Sequence, residues 1–486
     1  MSIEEVAAER PAWYDSIYSS GWQPVDDTAE VRAPASGALI GRVGVGSTST
    51  VAQAASKAAA VQKSWAATPY EDRARVFRKA ASLLEERMNA YADWIVRESG
   101  SGIGKAMFEL SVAIRLLYEA SAMPSQSPGM MLPSSAPGRM SFCRRQPLGV
   151  VGVISPFNFP FYLSLRAVAP ALAIGNTVVL KPDPRTTISG GMLIASLFDD
   201  AGLPNDALHV VPGGAEVGEA ICIDPHVAMI QFTGSTKTGR AIGKLAGEHL
   251  KKVSLELGGK NSLIVLDDAD LDLAASNAAW AAYLHQGQIC MTSGRILVQQ
   301  SIIAELTERI AAKARNLGAA QGDHAFGPLI NQQQVEHADD IVKRSVAAGA
   351  KMLVGGSPNG LVFPPTVLTG VTADMAAFQE EIFGPVAVLT PFLDDDEAAR
   401  LANDTEYGLS AGIISRSVGR AMALGEKLNV GLLHINDQTV ADDVLNPFGG
   451  RGKSGNGTSI GGPANWDEFS QWQWVTIQDT APAYPF

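Results

Sequence analysis

Residues 148–184 read LGVVGVISPFNFPFYLSLRAVAPALAIGNTVVLKPDP. The run LGVVGVI is apolar and rich in β-formers, and NTVVLK is a second run of the same kind. Between them lie a proline-bounded turn and the helical stretch FYLSLRAVAPALAIG. Strand, helix, strand is the unit of a parallel sheet. No charge falls between Gln146 and Leu165, which is near the length of a membrane helix. Pro147, Pro156, Asn158 and Pro160 interrupt that span, so a strand followed by a tight turn fits it better.

The same alternation continues outward. LHVV, VAMIQF and VSLEL follow, separated by ISGGMLIASLFDDAG and EVGEAICID. This predicts a doubly wound α/β fold, with ligands at the carboxyl ends of the strands. A second series, LIVL, RILVQ, PTVL and PVAVL, alternates with helices predicted at 271–285, 301–316, 332–348 and 395–404. Upstream, residues 51–120 repeat apolar positions at helical spacing. The stretch 121–140 is rich in Pro, Ser and Gly and breaks that pattern, as a linker or an excursion to a partner subunit. The end of the chain, WDEFSQWQWVTI, alternates as a strand would, suited to an added edge in an oligomer.

The chain has 486 residues, enough for two or three domains. A net charge of −12, dispersed along it, gives no electrostatic case for nucleic acid or an anionic membrane. Three widely spaced cysteines, Cys143, Cys222 and Cys290, with no CxxC, argue against a disulfide framework or a structural zinc site. Seven scattered histidines form no HExxH, and no metal is expected. The acidic N-terminus lacks an apolar segment and is not read as a signal peptide. The expectation is a soluble cytoplasmic protein in a reducing compartment.

Four segments carry candidate chemistry. FTGSTKTGRAIG follows a strand and opens a helix; it suits a pyrophosphate, although GxGxxG is absent and Arg240 and Ala241 spoil a Walker A loop. Glu256 stands in an apolar strand before Gly258 and Gly259, as a general base or as a salt bridge to Lys260. Cys290, in HQGQICMTSGR, follows a helical stretch and is either a nucleophile or an inert thiol. His285 is five residues away, off the shared helical face, and is read as structural. Asn158, fixed between prolines and aromatics, is an oxyanion donor or a turn residue.

SPFNFP, KPDP, FTGSTKTG, LELGGK, GQIC, EEIFGP and NPFGG occur in that order across nearly the whole chain. Together they closely resemble the NAD(P)-dependent aldehyde dehydrogenase superfamily. The resemblance implies an α/β fold with a Rossmann-like parallel-sheet cofactor domain, an α/β catalytic domain and a β-ribbon for oligomerisation. It places these at 1–125 with 145–257, at 258–449, and at 126–144 with 465–486. It implies that Cys290 is the nucleophile, that Asn158 and the Cys290 amide hold the oxyanion, and that Glu256 is the general base. The thiohemiacetal expels hydride to the nicotinamide, and the thioester left behind is hydrolysed. Lys181 matches the adenosine-ribose contact, Ser235 the pyrophosphate contact, and Glu381 and Phe383 the nicotinamide side. Ile154, Ser155, Pro156, Phe157, Gly214, Gly218, Phe232, Thr233, Gly234 and Leu257 complete the implied cofactor site.

Two departures bear on specificity. Many NAD-preferring members have KPSE; here KPDPRT puts Pro184 at the Glu position and Arg185 after it, which removes a barrier to NADP. NAD is favoured, with NADP possible. Arg166 replaces a large aromatic residue of the substrate tunnel, and with KPDPRT it resembles the benzaldehyde dehydrogenase branch. An aromatic aldehyde is therefore the expected substrate, lined by Phe159, Tyr162 and Arg166, in a homodimer or homotetramer. The rivals are a CoA-acylating semialdehyde dehydrogenase, where the base is typically missing, an aliphatic aldehyde dehydrogenase, a cysteine hydrolase, and a nonenzymatic member of the fold.

Overall fold

The computed structural model describes residues 11–320 and 326–486, so the N-terminal acidic stretch lies outside the described residues. LGVVGVI becomes the strand Val150–Ile154, the third of seven in a sheet. All five of its residues are buried, which explains an unbroken apolar run where a half-exposed strand would alternate. Across the sheet the order is Lys252–Glu256, Val227–Thr233, Val150–Ile154, Thr177–Lys181, Leu208–Val210, Ser16–Tyr18 and Trp22–Pro24. The first five are parallel, and the last two form an antiparallel hairpin at the far edge. From Val150–Ile154 the chain steps outward to Leu208–Val210, then crosses back to Val227–Thr233 on the other side. That reversal opens a crevice beyond Ile154 and Thr233, the place where open α/β sheets bind ligands.

The helix Pro160–Ile174 leaves this crevice and is buried at every position except Leu163. Its first turn is capped from another helix. Glu109, on Ile103–Ala122, accepts from the amides of Phe161 (2.8 Å) and Tyr162 (3.0 Å) and pairs with Lys105 at 2.5 Å. Glu98 does the same for Ile188 (2.8 Å) and Ser189 (2.6 Å). A carboxylate there answers both the free amides and the helix dipole. The four N-terminal helices, Thr48–Ala67, Tyr70–Glu86, Met88–Ser99 and Ile103–Ala122, thus include two locked to the sheet through buried acids.

The second series forms another seven-stranded sheet, in the order Lys351–Val354, Thr366–Thr369, Val386–Phe392, Arg295–Gln299, Ser262–Val265, Ser410–Ile414 and Leu432–Ile435. Only Lys351–Val354 runs antiparallel in it. The Pro-rich stretch and the chain end meet in a three-stranded antiparallel ribbon, Ser470–Ile477 on Met140–Pro147 on Gly129–Met131. The sequence reading missed the hairpin Ser16–Pro24 and the pair Thr28–Arg32 with Leu39–Gly44, because strands of three to six residues carry little periodicity. No helix among the described residues is long and apolar enough to cross a membrane.

Candidate active site

Helix Leu271–Tyr283 runs into a tight turn in which His285 (φ 49°), Gln286 (φ 55°) and Gly287 (φ 69°) are all left-handed. Such backbone is costly for the two non-glycine residues and persists only when its surroundings hold it. Here three side chains grip the carbonyls that follow. Asn158 Nδ2 donates to Gln288 O (2.9 Å), Asn261 Nδ2 to Cys290 O (2.7 Å) and Thr292 O (2.9 Å), and Thr439 Oγ1 to Met291 O (2.6 Å). The Cys290 amide has no partner among the described residues. Asn158 Nδ2 has spent one of its two protons. Two N–H donors are therefore free, and Asn158 and Cys290 line the same cavity.

Cys290 is half-buried, and its thiol is pushed up to about 12. Burial is the main cause, followed by the carboxylates of Glu381, Glu256 and Asp442, with Arg166 opposing. Glu256 ends the edge strand Lys252–Glu256, is buried, and has no hydrogen bond to either carboxylate oxygen. Burial raises its pKa well above 4.5, and Arg166 pulls it back. The salt bridge to Lys260 is not formed. Lys260 follows Gly258 and Gly259, its Nζ also buried without a partner, and burial and Arg295 push it down to about 7. The glycine pair has no room for side chains: a Cβ on Gly258 would lie 2.3 Å from Glu381 Oε2, and one on Gly259 2.5 Å from Cys290 O.

Two cavities share Cys290, Glu256, Thr233, Leu257 and Leu163. The larger, about 680 Å³, runs from Glu381 and Phe383 past Gly234 and Ser235 to Lys181. Ile154, Ser155, Pro156, Phe157, Phe232, Thr233 and Leu257 also line it. Ser235 caps helix Thr236–Glu248, accepting from Thr238 N (3.3 Å), so this helix N-terminus opens on the cavity as an anion site. Glu381 accepts from Gly259 N (3.0 Å) and is pushed up to about 7 by burial. Phe383, left-handed at φ 51°, meets the Phe157 ring edge-on at 5.9 Å. The shape, the lysine and the helix end fit a dinucleotide. Gly214 and Gly218 do not line this cavity; Gly214 precedes helix Ala215–Ile223, and Gly218 lies under Lys181.

The smaller cavity, about 20 Å³, is lined by Arg166, Ala167, Gln231, Phe448 and Ile460 besides the shared residues. Arg166 is buried, bonded to Asp442 (2.6 and 3.2 Å) and Ile460 O (3.2 Å), and stacked on Phe448 at 4.4 Å. Tyr162 donates to Asp442 (3.0 Å), outside the lining. Phe159 packs on His285 (5.9 Å) and under Lys105 Nζ (4.2 Å), also away from both cavities. Of the three expected substrate residues only Arg166 lines this cavity, whose apolar wall includes Leu163, Phe448 and Ile460, with Phe448 its one aromatic ring. Sequence reasoning missed that wall, Gln231, Asn261 and Asp442. Only NPFGG, which contains Phe448, offered a signal.

The model of the aldehyde dehydrogenase family matches residues 22–475, and the chain belongs to that family. Within it, the vanillin dehydrogenase of Amycolatopsis sp. is 49% identical over 479 residues, covering 98% of each chain. The NAD(+) benzaldehyde dehydrogenase of Pseudomonas putida is 46% identical over 482 residues, 98% of this chain and 99% of that one. The crystal structure of a salicylaldehyde dehydrogenase from Pseudomonas putida G7, complexed with salicylaldehyde, superposes with a TM-score of 0.93 at 32% identity over 97% of this chain and 99% of that one.

Proposed function

We propose that this chain oxidises aromatic aldehydes to carboxylic acids with NAD. The observation that carries the chemistry is the meeting of the two cavities at Cys290 and Glu256, beside the free Cys290 amide and Asn158 Nδ2. The aromatic class is supported by the names of the relatives.

The bound dinucleotide supplies the hydride acceptor. Cys290 passes its thiol proton to solvent, and its sulfur bonds to the aldehyde carbon. The oxygen, gaining negative charge, takes the two free N–H donors. Once oxidised, the acyl group remains on Cys290 as a thioester. Glu256, with both oxygens free, takes a proton from the water that attacks it. Lys181, Ser235 and the Glu381–Gly259 contact orient the cofactor. Arg185, which follows Pro184, pairs with Asp183 (2.7 Å) and lies over Phe157 (4.1 Å), so its charge is not free for a 2′-phosphate; this supports NAD over NADP.

The assignment extends to the domains: cofactor binding by 1–125 with 145–257, catalysis by 258–449, and pairing of copies through 126–144 with 465–486. Reduced-nicotinamide absorbance with benzaldehyde, run with NAD and with NADP beside Cys290→Ala, tests the reading. Signal with NAD that is lost in the variant is expected. More efficient turnover of short aliphatic aldehydes would sink the aromatic assignment.

A further inference from the structure

Strand Val227–Thr233 carries Gln231 in register with Ser254, and Thr233 in register with Glu256. Alternation along each strand puts Gln231 and Thr233 on one face of the sheet, beside Glu256. Gln231 is 2% exposed, and its Oε1 has no hydrogen-bond partner. A buried amide oxygen with nothing bonded to it is costly and calls for an occupant. Gln231 lines the small cavity with Glu256 and Cys290, and about 20 Å³ there is room for one water.

We propose that Gln231 holds the water that hydrolyses the acyl group on Cys290, acting as a positioning partner of Glu256; this rests on the dehydrogenase reading above. A water that donates one proton to Glu256 and the other to Gln231 Oε1 keeps its lone pairs free for the acyl carbon. The water oxygen bonds to that carbon, and Glu256 takes the shared proton. The carbon–sulfur bond then breaks, Cys290 leaves as thiolate, and the carboxylic acid carries the remaining proton away. The aldehyde-oxidising half of the cycle does not need this water, so Gln231 acts on deacylation alone.

The test is rapid-mixing measurement of reduced nicotinamide with benzaldehyde and NAD for wild type, Gln231→Leu and Gln231→Asn. Gln231→Leu is expected to give a burst near the wild-type rate, then a steady state about 10- to 100-fold slower. Gln231→Asn falls between the two. Hydroxylamine, which attacks thioesters without being held, restores turnover. The burst counts folded, competent sites, so misfolding does not imitate the result. Burst and steady state slowed together, or a steady state unchanged in Gln231→Leu, would overturn the role. A wild type that gives no reduced nicotinamide with any aldehyde fails the dehydrogenase reading instead.

Discussion

Glu256 is 4% exposed with neither oxygen bonded, so its ionisation is disfavoured in the folded state and free in the unfolded one. Its folded pKa therefore lies above 4.5, and the folded chain keeps a proton that the unfolded chain has lost. Stability from this group falls as pH rises from that value toward the folded pKa. Glu256→Gln removes the fall: its thermal midpoint should exceed that of wild type at pH 8, with the gap closing toward pH 4, while turnover drops about 10²- to 10⁴-fold. Equal midpoints at both pH values would contradict the burial argument. Cys290 gives a second titration. With its thiol pushed up to about 12, alkylation of the ligand-free protein by iodoacetamide should climb through pH 9 without levelling off. A plateau below pH 8 would mean a thiolate already stabilised at rest.

The Gly258–Gly259 pair and the acidic helix caps are features of elements. Gly258→Ala puts a methyl 2.3 Å from Glu381 Oε2, and a side-chain end can yield where backbone cannot. The carboxylate should swing away from Gly259 N, leaving the fold intact and raising KM for NAD about tenfold, the scale of one hydrogen bond to a charge. Circular dichroism and cofactor titration check the two halves of that statement. Glu109→Ala leaves Lys105 buried and unpaired beneath an uncapped helix, which costs about 3–5 kcal/mol. Adding Lys105→Met should recover part of the lost thermal midpoint. The elements most legible in the sequence were those whose residues are all buried, such as Val150–Ile154 and Thr177–Lys181, because nothing polar interrupts them. Gln231 and Asp442 were illegible for the opposite reason. Each matters through partners such as Glu256, Arg166 and Ile460, which lie far away in the chain and meet only after folding. Lys260 was one candidate partner for Glu256 because it lies four residues away, but in the fold neither carboxylate oxygen nor Nζ has a partner.

At the scale of the molecule, the ribbon exposes large apolar side chains on both faces: Trp474 (68%) and Met130 (56%) on one, Met131 (67%) and Ile477 (49%) on the other. A patch of this kind on an edge strand marks an association surface. Trp474→Glu should lower the mass seen by light scattering without changing the burst of a purified sample. An unchanged mass would remove the ribbon from the assembly. The ribbon also has a temporal meaning. Arg144 donates to Gln473, 329 residues later, and Asn176, just ahead of the strand Thr177–Lys181, donates to Phe469 O. While a ribosome makes the chain, Met140–Pro147 has only the short strand Gly129–Met131 beside it, and its other edge stays open until the whole of 148–469 has emerged. The strand next to it, Val150–Ile154, leads straight into the Asn158 loop. A nascent chain stalled before residue 470 would carry Asn158, Glu256 and Cys290 beside an open, aggregation-prone flank.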